Sequence, residues 1–399
     1  MNRDNIRFAR GETERKLWSV PLDGKPAKKN LDKIQGCLIG GAAGDALGYV
    51  IEFLTEDTIF RNLGKPGLTE YRFRNGLARI SDDTQMTMFT ATGLLSAAAR
   101  EGAAADIETY GRYIARTYRD WYKTQCESFD ACNRKFITSW LMHVPEIFAS
   151  RAPGRTCLSA IYSGCGGSVE FPLNNSKGCG GVMRVAPIGL FFADLDVAPL
   201  GVDLLGADAA ALTHGHEMGY IPGAMLVHIV RLVANSDDIT LKDAVLSAMG
   251  MARVLFPDAE TLPGFLELIS RAVELSESDV DHLSAIHQLG AGWIGDEALA
   301  IAIYCALKYA DDFDMALIAS VNHNGDSDST GAITGNILGA YLGLSRIPQK
   351  YLDKLELKAE LLELAEDLYR GIPDGTDAAY ERAWREKYVD ITYRAENHD

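Results

Sequence analysis

Apolar residues recur at i, i+3, i+4 and i+7 through Thr84–Arg100, Tyr220–Val233, Leu241–Val254, Glu297–Ala310 and Tyr351–Tyr369. This is the period of helices that each turn one face to a core. Ala, Leu and Met dominate these segments and β-branched alternation is scarce, so the pattern predicts helices and no sheet. Turn-forming clusters at Gly64-Lys65-Pro66-Gly67, Ala152-Pro153-Gly154, Gly164-Cys165-Gly166-Gly167 and 322–329 punctuate them. No internal repeat and no linker-like stretch appears after residue 31. The expected architecture is all-α: a single compact multi-helix domain over residues 31–399, preceded by an arm of residues 1–30.

Charge separates the arm from the body. Residues 1–30 hold eight basic and four acidic side chains, a net of +4, with Pro21, Gly24 and Pro26 breaking any helix. The overall charge of −16 less this +4 leaves −20 on the remaining 369 residues. A body so acidic repels phosphate backbones and anionic lipid, which argues against nucleic-acid and membrane partners. The first 20 residues lack the apolar core of a secretion signal, and no uninterrupted run of about 18 apolar residues is present. Seven cysteines without a CxxC pair suit reduced thiols, so a cytoplasmic setting is expected. The arm itself reads either as a loosely attached tail or as a segment that docks a partner.

Two runs carry candidate chemistry: Ser81-Asp82-Asp83-Thr84 and Asp326-Ser327-Asp328-Ser329-Thr330, each opening a predicted helix. Either alone reads first as an N-cap, because short oxygen side chains accept the free N–H groups of a first turn. A cap needs one such side chain, whereas each run supplies at least four in a row. Four carboxylates in one place repel unless protonated or neutralised, and oxygen donors without His or Cys select Mg²⁺, Mn²⁺ or Ca²⁺. Brought together, the two runs would form a dinuclear metal cleft with ions about 4 Å apart.

Three further segments bear on such a site. Gln35–Phe53 is helix-like yet holds Gly36, Gly40, Gly41, Gly44 and Gly48, each costing about 1 kcal/mol relative to Ala. That cost implies close backbone approach by another helix or by a ligand. Within it, Asp45 and Glu52 are seven apart, so they are expected on one helix face two turns from each other, a pair that also reads as a solvated face. Lys177–Arg184, reading KGCGGVMR, offers backbone N–H groups suited to a diphosphate, although an ordinary turn reads the same way. His214 and His216 read as structural or as ligand contacts.

In this order along the chain, GCLIGGAAGDALGYVIEF, SDDTQM, KGCGGVMRVAPIGL, THGH, GWIGDEALAIAIYCAL and GDSDSTGAITGNILGA resemble the ADP-ribosylglycohydrolase family over residues 31–345. The serines in SDDT and GDSDSTG and the central GCG look closest to its ADP-ribosylarginine hydrolase branch. The resemblance implies an all-α fold with two Mg²⁺ ions, or Mn²⁺, at the base of a cleft for ADP-ribose. It implies metal ligation by Ser81, Asp82, Asp83, Asp326, Asp328 and Ser329. Glu52 matches the family acid beside the metals, with Asp82 and Asp326 the carboxylates next to the reacting sugar. Gly178, Gly180, Gly181 and Met183 match the diphosphate loop and His214 the histidine near the ribose. Asp296 stands where the family often has Glu.

The function so implied is metal-dependent hydrolysis of the N-glycosidic bond in mono-ADP-ribosylated protein, with arginine as the expected acceptor. The alternative is an immunity or inhibitor protein whose basic arm occludes an ADP-ribosyltransferase toxin, a role compatible with hydrolysis in the same chain.

Overall fold

The computed structural model describes residues 29–102, 105–192 and 199–395. The chain enters at Asn30, whose side chain accepts the Asp32 N–H at 3.0 Å and caps α1 (Leu31–Gly48). The basic arm, apart from Lys29 and Asn30, lies outside the described residues.

The five glycines of α1 are explained by one neighbour. Helix α14 (Ser327–Leu342) runs against it with its own small residues at the same four-residue spacing. A Cβ added at Gly36, Gly40, Gly44 or Gly48 would lie 2.3, 2.3, 1.9 and 2.2 Å from the carbonyl oxygens of Gly339, Gly335, Gly331 and Ser327. The two helices therefore touch backbone to backbone, antiparallel, with Asn336 reaching across to the Cys37 carbonyl at 2.9 Å. Of the two partners that the glycine pattern allows, it is a helix that makes this approach. The pairing brings the C-terminal end of α1 to the N-terminal end of α14.

Around this pair pack α3 (Asp82–Glu101), buried along nearly its whole length, and α4 (Ile107–Cys126). Polar side chains inside α3 are paired: Gln85 Oε1 accepts from Trp121 Nε1 at 3.1 Å, and Thr90 Oγ1 meets the Tyr118 hydroxyl at 2.6 Å. Helices α8 (Glu217–Asn235) and α12 (Gly295–Lys308) also pack on α14, with α7 (Pro199–Ala211) and α9 (Leu241–Leu255) against α8 and α10 (Leu262–Ser276) against α12. Asp203, His228 and Ser247 join α7, α8 and α9 through contacts of 2.7 and 2.9 Å. Helix α8 has the length and apolarity to cross a membrane, but 83% of that apolar window is buried inside the protein. Among the described residues only isolated bridges occur and no sheet forms, as the periodicity predicts.

One predicted element is two. Tyr351–Tyr369 is not a continuous helix: a short helix Gln349–Leu352 ends before a turn, and a second helix spans Lys358–Arg370. The turn survives because Glu356 is worth more there than in a helix. Its buried carboxylate accepts from the Ile80 N–H at 3.1 Å and from Arg151 at 2.9 Å, and pairs with Arg79. Ala78 donates to the Lys354 carbonyl and accepts from the Glu356 N–H. Leu357 takes a left-handed φ of 56° to make the exit.

Candidate active site

The two acidic runs lie at the N-termini of α3 and α14, and in each the capping reading and the site reading are both satisfied. Ser81 Oγ accepts the Asp83 N–H at 3.2 Å, and Asp326 Oδ1 accepts the Ser329 N–H at 3.2 Å. The Ser329 N–H is shared with Asp328 Oδ1 at 2.9 Å, and Asp83 Oδ1 is left without a partner. Because α1 and α14 touch, and α3 is pinned to α1, the runs converge. Carboxylate oxygens of Glu52, Asp326 and Asp328 lie within 4.8 Å of one another. Asp83 feels the charges of Asp82 and Asp326 and interacts with the Ser329 hydroxyl across the cleft.

The pin between α1 and α3 is Asp45, a residue whose role the sequence only half reveals. Fully buried, it accepts from the Ser81 N–H at 2.9 Å and the Thr84 N–H at 3.1 Å, and also pairs with the Thr84 hydroxyl. Helix α1 stops at Gly48, so Glu52 sits in the following turn and not two helical turns from Asp45 on a shared face. The helix ends with Gly48 packed against Ser327, and the turns that follow place Glu52 beside Asp326 and Asp328.

Burial dominates the electrostatics. It pushes the Glu52 carboxyl up to about 8, with the Asp326 and Asp82 charges adding to the effect. Burial also raises Asp82, Asp83 and Asp328 well above the usual carboxylate range, each helped by its acidic neighbours. Glu52 Oε2 and Asp83 Oδ1 are buried without a hydrogen-bond partner. Orphaned buried carboxylate oxygens facing like charge are costly without a proton or a cation. The donors are oxygens, the chemistry of a hard divalent ion. The residues present therefore fit such a group.

The glycine loop crosses the same cleft. Cys179 Sγ donates to Asp326 Oδ2 at 2.9 Å, and the Cys179 N–H donates to the Trp293 carbonyl at 3.2 Å. Met183 sits between the two acid-bearing helices: its carbonyl accepts from Thr87 at 3.4 Å and its sulfur lies 3.9 Å from Ser329 Oγ. Part of the glycine requirement is internal. A Cβ at Gly181 would meet the Gly219 carbonyl at 2.3 Å, and one at Gly180 would meet the His214 ring and Cys157 Sγ at 2.9 Å.

His214 lies under this loop, its Nε2 3.2 Å from where a Cβ on Gly178 would be. Burial and the nearby Arg184 charge lower its pKa to about 3, so the ring is neutral. Arg184 can only donate, and it donates to Thr213 Oγ1 at 2.7 Å. The Thr213 hydroxyl is in turn hydrogen-bonded to His214 Nδ1, 2.8 Å away, which leaves Nε2 on the loop side. His216 is structural: its Nδ1 accepts the Met218 N–H at 2.9 Å and caps α8. Asp296 lies in the first turn of α12, partly buried, with its pKa raised by that burial.

The chain is 25% identical over 360 residues to the ADP-ribosylarginine hydrolase Tri1 of Serratia proteamaculans, covering 88% of this chain and 82% of that one. It is 25% identical over 387 residues to the ADP-ribosylhydrolase ARH3 of Bos taurus, covering 89% and 97%. To the ADP-ribosyl-[dinitrogen reductase] glycohydrolase of Rhodospirillum rubrum it is 26% identical over 335 residues, covering 82% and 92%. A solved ADP-ribosylglycohydrolase-related protein complex shares the fold, with a TM-score of 0.53 at 24% identity over 85% of this chain and 98% of that one. The model of the family described as ADP-ribosylglycohydrolase matches residues 26–377, and the chain belongs to that family.

Proposed function

We propose that the chain hydrolyses the N-glycosidic bond between ADP-ribose and an arginine of a modified protein, in a reaction that depends on two Mg²⁺ ions, with Mn²⁺ an acceptable substitute. The observation that carries the reading is the cluster of Glu52, Asp326 and Asp328 within 4.8 Å, with Asp83 linked to Ser329 across the cleft and buried carboxylate oxygens of Glu52 and Asp83 left unpartnered. Arginine is favoured by the serines in the two metal runs, SDDT and GDSDST, and by the name of the Serratia relative.

Ser81, Asp82 and Asp83 would hold one ion and Asp326, Asp328 and Ser329 the other. When bound, divalent cations neutralise these acids and supply Lewis acidity toward ribose hydroxyls and water. The chain's own residues do the rest. Asp82 and Asp326 place negative charge where an oxocarbenium-like sugar develops positive charge. Glu52, with a free oxygen, takes up a proton at the cleft or gates its cations. Gly178, Gly180, Gly181 and Met183 line the diphosphate side, and His214 presents a neutral ring near the ribose. Burial in a water-poor cleft strengthens each of these interactions.

The test is release of ADP-ribose from arginine-ADP-ribosylated protein in Mg²⁺ and in EDTA, with serine-linked substrate in parallel. Release from arginine that EDTA abolishes is the expected result. Release from serine alone moves the chain to another linkage, and no release from either overturns the reading.

The basic arm, net +4 against a body of −20, supports a second activity: docking on an ADP-ribosyltransferase toxin. Deletion of residues 1–30 then abolishes toxin binding and leaves hydrolysis intact. Unchanged binding eliminates that role.

A further inference from the structure

Beside the carboxylate centre, two large aromatic rings face solvent. Phe53 is 73% exposed and Trp293 43% exposed, although burial of such rings is among the strongest contributions a core receives. They stack on each other, with centroids 6.1 Å apart and planes inclined by 17°. Leu54 extends the apolar surface.

Their position is set by the site. Phe53 follows Glu52 directly in the chain. Its turn is held by the Leu54 N–H on the Ile51 carbonyl at 2.8 Å and by the Glu56 N–H on Asn324 Oδ1 at 2.8 Å, two residues before Asp326. Trp293 follows Gly292, whose added Cβ would lie 3.5 Å from Asp326 Cβ, and its carbonyl holds the Cys179 N–H. The pair is therefore an ordered platform on the rim of the acidic cleft. No metal ligand or glycine-loop residue belongs to it.

A stacked, solvent-facing aromatic platform suits a flat, weakly hydrated cation. Guanidinium is such a group, stacking on aromatic faces where an ammonium or a hydroxyl does not. We infer that the Phe53–Trp293 platform is the acceptor-side subsite, receiving the guanidinium of the modified arginine while the ADP-ribose occupies the cleft. The inference rests on the arginine reading above and extends it to the part of the substrate that leaves.

The full chain in Mg²⁺ is compared with Trp293→Ala, Phe53→Ala and the ring-conserving Trp293→Phe. The readouts are KM and kcat on arginine-ADP-ribosylated protein and the affinity for free ADP-ribose by calorimetry. Both rings are exposed, so the alanine variants keep the wild-type circular dichroism. The alanine variants are expected to raise KM about five- to twentyfold, the range of a partly desolvated cation–π contact, with affinity for free ADP-ribose retained. Trp293→Phe is expected to recover most of the loss. A wild-type KM in both alanine variants overturns the platform alone, and so does an equal loss of affinity for free ADP-ribose. A wild-type chain that releases nothing from arginine overturns the functional reading and the platform with it.

Discussion

Replacing Gly44 by alanine tests the helix pair on which the candidate site rests. A Cβ at Gly44 would sit 1.9 Å from the Gly331 carbonyl oxygen and 2.3 Å from its carbon, about 1.5 Å short of ordinary contact. The obstacle is backbone, so no side-chain rotation relieves it, and the cost falls near the top of the overpacking range, about 3 kcal/mol. Alanine returns about 1 kcal/mol of helix propensity, leaving a net loss of about 2 kcal/mol. At about 2.1 cal/mol/K per residue, 399 residues unfold with an entropy near 0.8 kcal/mol/K, so the midpoint falls by about 2–3 °C. The control is the same substitution at Gly250 of α9 or Gly264 of α10, where an added Cβ meets nothing within 4 Å. There alanine gains about 1 kcal/mol and raises the midpoint by about 1 °C. The assay is thermal unfolding by circular dichroism on all three variants, with ADP-ribose release alongside, because displacing α14 moves Asp326 and Asp328. A Gly44→Ala chain that stabilises like Gly250→Ala refutes the backbone contact.

Other consequences are open to simple assays. Asp83→Ala and Asp328→Ala each remove release of ADP-ribose and the thermal shift that Mg²⁺ produces, while far-UV circular dichroism stays helical; full activity in both removes the two-ion site. Asp45→Asn replaces one of the two accepting oxygens with an amide donor, weakening the hold on the Ser81 and Thr84 N–H groups at a cost of about 1–3 kcal/mol and reducing hydrolysis, as chemical denaturation and a rate assay will show. Glu52 titrates near 8 in the fold and near 4.5 ordinarily, and Asp82, Asp83 and Asp328 are raised in the same direction. The folded chain thus holds protons that the unfolded chain has released, so without metal its stability is greatest at low pH and declines as pH rises from about 5 to 8. Mg²⁺ replaces those protons and flattens the decline. Identical melting points in EDTA at pH 5.5 and pH 8 contradict this.

Much of the site was legible because capping chemistry and metal chemistry draw on the same residues. Asp82, Asp83, Asp326 and Asp328 announced themselves by exceeding what a helix start needs, and the spaced glycines of α1 announced a close neighbour. That this neighbour is α14 was not legible, because a four-residue glycine period says how near a partner comes and not which segment it is. Asp45 was visible as an acid in an apolar helix, but its service to Ser81 and Thr84 depends on where α3 begins in space. The break at Asp353–Leu357 escaped the periodicity because Leu355 and Leu357 keep the apolar register while Glu356 is claimed by Arg79, Arg151 and the Ile80 N–H. Phe53 and Trp293 were invisible as a pair, since two residues 240 positions apart in sequence share no pattern.

The α1–α14 contact joins residues about 300 positions apart, as in the Asn336–Cys37 hydrogen bond. During synthesis at about 5–20 residues per second, α1 therefore waits at least some 15 s for the helix that fits it. Throughout that time its glycine face has no partner, and half of the acidic centre does not yet exist. Long-range closure of this kind is slow in folding and comes late. A ribosome-bound chain ending before Asp326 is consequently inert toward substrate, and competence arrives with the last fifth of the polypeptide.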